Sequence, residues 1–66
     1  MQEHIMQFFS FAHLPIPMQE VSKPFHDLAQ TIVQTLPRNP ERTVALRKLL
    51  EAKDAAVRAF IAKDAA

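Results

Sequence analysis

Few side chains in this sequence could do chemistry. Serine occurs only at Ser10 and Ser22, histidine at His4, His13 and His26, and cysteine and tyrosine are absent. His13 follows Ser10 by three residues, but nothing around either resembles the strained turn that exposes a nucleophile. The histidines lack the i,i+3 or i,i+4 spacing that lets two imidazoles grip one metal ion, and there is no HExxH-type pair. Glu41, Glu51 and Asp54 interleave with arginine and lysine. That is the pattern of a solvated, salt-laced helix face and not of an acid–base pair. A glycine-rich phosphate loop is excluded because the chain has no glycine. The expectation is a protein that is not an enzyme and needs neither cofactor nor metal.

Binding chemistry remains. Phe8, Phe9 and Phe11 cluster in the lead of the chain. Phenylalanines so placed are most often plain core residues. The alternative is that one of them stacks on a flat ligand, since a ring can stack on any base without reading its edge. The cations are Lys23 with His26, Arg38 with Arg42, and then Arg47, Lys48, Lys53 and Arg58. Charged surface is their commonest fate. Phosphate binding is the functional reading, for which the planar fork of arginine is suited.

These residues must be positioned by an all-α fold. With no glycine, turns that need positive φ are disfavoured, and proline supplies the punctuation. Residues 1–17 form a lead segment with an apolar cluster of Phe8, Phe9, Phe11 and Leu14, in which residues 2–9 could make a short helix. Residues 18–36 carry Met18, Val21, Phe25, Leu28, Ala29, Ile32, Val33 and Leu36 at helical spacing. Pro24 interrupts that stripe, so a bend is expected there, or a restart capped by Ser22. Pro37 stops the first helix, Asn39 is a good N-cap, and Pro40 suits a first helical position. A second helix is expected over 40–63, with Leu46, Leu49, Leu50, Ala56, Val57, Phe60 and Ile61 as its apolar stripe. Arg47–Glu51 and Asp54–Arg58 have i,i+4 spacing, and Lys53 lies close to the stripe, where a lysine lays its stem on apolar surface with its head wet. So short a turn makes the helices antiparallel neighbours in one domain, residues 1–66.

The totals then limit what such a hairpin can do alone. A chain of 66 residues is marginal by itself, and without cysteine it has no disulfide. Self-association is the remaining staple, because two helices leave Phe8, Phe9, Phe11, Leu50, Phe60 and Ile61 as a large patch. A net charge of +1 argues against bulk binding of DNA or RNA. No apolar run approaches the roughly 20 residues needed to span a bilayer, and no signal peptide is evident, so the expected address is cytoplasmic.

Three stretches carry a resemblance: residues 11–15 (FAHLP), 19–29 (QEVSKPFHDLA) and 36–59 (LPRNPERTVALRKLLEAKDAAVRA). Together they look like the helical-hairpin domain of phage-encoded immune-signal sponges, the anti-CBASS cyclic-oligonucleotide sponges and the related anti-Thoeris sponges. The resemblance implies a hexamer that sequesters cyclic dinucleotides and cyclic trinucleotides between subunits, without cleaving them, in the cytoplasm of an infected bacterial host. It implies that Phe11, where the family commonly has tyrosine, stacks on a purine. It implies that His26 or its neighbour Lys23 meets a phosphate, and that Arg58 serves a separate trinucleotide site. A sponge for cyclic ADP-ribose-type signals and a non-ligand-binding oligomeric adaptor are the alternative expectations.

Overall fold

The computed structural model describes residues 4–62. The order is a 3-10 helix, η1 (His4–Phe9), then α1 (Ile16–Thr35) and α2 (Pro40–Ile61). No strand occurs among the described residues. The two long helices fold back on each other as a hairpin, and η1 packs on both of them. None of these helices is long and apolar enough to cross a membrane.

The hairpin turn follows the capping chemistry that its sequence suggests. Asn39 is the N-cap of α2, and its Oδ1 accepts a hydrogen bond from the Arg42 backbone N–H at 2.9 Å. Pro40 opens the helix, where a missing N–H costs nothing, and Glu41 lies in the first turn, at the positive end of the helix dipole. Asn39→Ala is expected to destabilise the fold by about 1 kcal/mol, the usual cost of losing an N-cap. Thermal unfolding followed by circular dichroism measures it, and an unchanged transition would contradict the cap. No described residue has positive φ.

Helix α1 starts at Ile16, two residues before the expected start at 18, and runs unbroken through Pro24 to Thr35. Pro24 has no N–H to offer the Glu20 carbonyl, but Glu20, Lys23 and Pro24 are all exposed, so water can replace the missing donor. Ser22 does not cap a restart. It is fully buried inside the helix, and its hydroxyl has no hydrogen-bond partner. The expected end of α2 at Lys63 lies outside the described residues; the helix is assigned to Ile61.

The core is Met6 and Phe9 from η1, Ala29 from α1 and Leu46 from α2. Ile5, Phe25, Ile32, Val33, Leu49 and Leu50 pack around it. The expected apolar patch is thus corrected at Phe9, which is fully buried because η1 folds onto the hairpin. Phe8, on the same short helix, is 51% exposed. Apolar surface still open includes Ile16, Leu28, Leu36, Val44 and Ile61. At 100° per residue, Leu28 and His26 lie on opposite flanks of α1. The lead segment covers the His26 flank through Phe11 and leaves Leu28 half exposed.

Candidate functional site

Of the four residues expected to bind ligand, three come together. Phe11 follows η1 in a turn closed by the Leu14 N–H donating to the Phe11 carbonyl at 3.0 Å. Its ring meets the imidazole of His26 edge to face, with centroids 5.1 Å apart and planes at 64°. Lys23 lies one turn earlier on α1. Both rings are half-buried, so each keeps some surface to offer a ligand. The juxtaposition follows from two local facts. The turn after η1 brings Phe11 back onto α1, and a three-residue spacing sets Lys23 and His26 on one helix face.

Sequence reasoning missed the fourth member of this cluster, Asp27. Its carboxylate accepts a hydrogen bond from the Lys23 ammonium at 2.9 Å, and His26 Nδ1 lies 3.4 Å from its other oxygen. The Lys23 hydrogen bond, followed by that from His26, holds the Asp27 carboxyl below the usual carboxylate range. The signal was available, since Lys23 and Asp27 are i,i+4 neighbours. Both side chains are more than half exposed, so the pair is weakly held and its ammonium can exchange partners.

Arg58 stands apart. It lies exposed in the last turn of α2, and nothing among the described residues joins it to Phe11, Lys23 or His26. Its expected ion pair with Asp54 does not form. Asp54 lies 3.9 Å from the Lys53 ammonium instead, and Glu51 meets Lys48 at 3.8 Å in place of Arg47. The faces beside Arg58 carry the exposed small residues Ala55, Ala59 and Ala62.

Two of the other cations serve the fold. Arg42 is buried to 8% exposure, and its Nη1 donates to the carbonyls of Val33 at 3.2 Å and Leu36 at 3.0 Å. These are orphan carbonyls at the end of α1, where a cation also complements the helix dipole. Lys53 covers most of its side chain and sets its ammonium in an exposed hydrogen bond. Its side chain is only 14% exposed, and its ammonium donates to the Phe8 carbonyl at 2.9 Å. No group of three or more histidine, cysteine or acidic residues suited to a metal ion occurs among the described residues.

Compared with protein-family models, curated proteins and solved structures, the chain matches none of them.

Proposed function

We propose that this protein binds and sequesters cyclic oligonucleotide signals, with Phe11 as the stacking platform and His26 or Lys23 as the phosphate contact. The observation that carries the reading is the Phe11 ring lying against His26 at 5.1 Å, with an exposed lysine one turn away. A flat apolar surface beside an exchangeable ammonium suits a ligand that is itself flat base plus phosphate. Catalytic groups are not needed for this, because a sponge acts by mass action alone. The resemblance of residues 11–59 to phage immune-signal sponges points the same way and supplies the ligand class.

The protein acts as an oligomer, on this reading a hexamer. Leu28, Leu36 and Val44 leave apolar surface that a second copy would cover. Across a two-fold axis each Phe11 and each cation is offered twice, matching the two bases and two phosphates of a cyclic dinucleotide. The test is a binding screen of the purified protein against cyclic dinucleotides, cyclic trinucleotides and cyclic ADP-ribose isomers, with bound ligand recovered intact after denaturation. Recovery of a cyclic ADP-ribose isomer alone would reassign the ligand class. Binding of none of these would leave an adaptor as the better reading.

Two substitutions sharpen it. Phe11→Ala is expected to weaken cyclic dinucleotide binding by about 1–3 kcal/mol, the range for a lost stacking platform. Calorimetric titration reads this, and full affinity in the variant would return Phe11 to the core. Asp27→Asn is expected to tighten binding a few-fold, since it removes an exposed negative charge beside the phosphate contact. In the wild type the same gain should emerge on acidification. The Asp27 pKa is depressed, so its charge persists through the ordinary carboxylate range and is lost only below it. Weaker binding by Asp27→Asn would mean that the carboxylate orients the cations and does not oppose the ligand.

A further inference from the structure

The segment that carries Phe11 is tethered at both ends by side chains from the long helices. On one side, the Lys53 ammonium donates to the Phe8 carbonyl at 2.9 Å, across 45 residues of sequence. On the other, the Gln19 amide donates to the Leu14 carbonyl at 2.8 Å and the Ala12 carbonyl at 3.3 Å. Phe11 lies between these anchor points. The carbonyls at the end of a short 3-10 helix lack intrahelical partners and carry the negative end of its dipole, so a cation suits the first tether.

We infer that Lys53 is a positioning residue for the ligand site: its tie to the Phe8 carbonyl holds the lead segment so that the Phe11 ring stays against His26. Two features point to this role beside packing. The Lys53 side chain is largely covered, yet its ammonium donates to a backbone carbonyl of the lead segment. The acceptor lies three residues before Phe11, so fixing it restricts where the ring can lie; the buried Phe9 anchors the same stretch, and Lys53→Met, which leaves Phe9 in place, separates the two contributions. A platform held in place before the ligand arrives avoids the ordering cost that a loose loop pays on binding.

The inference rests on the sponge reading for its ligand but can be tested without one. The His26 ring protons lie in the ring current of Phe11, so their chemical shifts report the juxtaposition directly. In Lys53→Met, which keeps the stem and removes the charge, the His26 signals should move toward those of Phe11→Ala. Amide exchange should accelerate over residues 4–14 and stay slow in α1 and α2. Lys53→Arg, which can still donate, should keep the wild-type His26 signals. Cyclic dinucleotide affinity of Lys53→Met should fall about tenfold, a moderate ordering cost for one short loop. Unmoved His26 signals in Lys53→Met would overturn the inference, whatever the ligand. Loss of protection throughout α1 and α2 would also overturn it, because the ammonium would then hold the hairpin and not the segment. If the wild type binds no cyclic nucleotide, the sponge reading fails while the His26 and exchange results still decide the tether.

Discussion

Phe9→Ala is expected to destabilise the protein by about 3–5 kcal/mol, the range for truncating a fully buried phenylalanine. Phe9 is completely covered and joins η1 to Ala29 and Leu46 in the core. The removed ring would leave a cavity bordered by three separate helices, and such a site collapses poorly. A domain this short has only a few kcal/mol in reserve, so most of the chain should be unfolded at moderate temperature. Phe8→Ala is the control. Its ring is half exposed, and the cost should be well under that of Phe9. Urea unfolding followed by helical circular dichroism compares the two. Equal midpoints for Phe9→Ala and wild type would mean that η1 is an appendage to a hairpin stable without it.

The second large effect concerns Arg58 and ligand selectivity. Arg58→Ala should abolish most binding of a cyclic trinucleotide and spare binding of a cyclic dinucleotide. Arg58 is exposed, forms no ion pair with Asp54, and is flanked by Ala55, Ala59 and Ala62, so copies of α2 can approach closely around it. On a three-fold axis, converging arginines repel each other until an anion sits among them, and a cyclic trinucleotide brings one phosphate for each. A charge-assisted hydrogen bond is worth about 1.5–3 kcal/mol. Losing three at once should cost a hundredfold or more in affinity, even with imperfect additivity. Calorimetry of the variant with both ligand classes decides it, with the assembly mass checked in parallel. Equal loss of both ligands would mean one shared site or a broken oligomer. Loss of neither would make Arg58 a surface charge.

Much of the architecture was legible from the residues. The Asn39-Pro40 start of α2 and the end of α1 before Pro37 follow from local stereochemistry, which sequence states directly. The role of Arg42 did not, because it depends on where the end of α1 lies relative to the first turn of α2. Lys53 was visible as a lysine beside an apolar stripe, but its acceptor is a backbone carbonyl, and carbonyls leave no mark in composition. Ser22 misled as a cap. The Glu20 carbonyl left without a donor by Pro24 is on an exposed residue that water can reach, so the helix continues through Pro24 and Ser22 has nothing to cap. At the candidate site, aromatic and cationic residue types were readable. The i,i+4 spacing of Lys23 and Asp27 was readable too, though passed over, while the edge-to-face meeting of Phe11 with His26 required the fold.

The span of the hydrogen bonds also orders the assembly of the chain in time. The Arg42 contacts to Val33 and Leu36, and the Asn39 cap, close loops of nine residues or fewer, so they can form as soon as the turn does. The Lys53 contact to Phe8 closes a loop of 45 residues and has no acceptor in place until η1 has docked. Loop closure grows dearer with length, so a chain with this wiring zips outward from its turn and closes its amino-terminal flap last. The aromatic platform is therefore finished at the end of folding, and on opening it would be the first part to come undone.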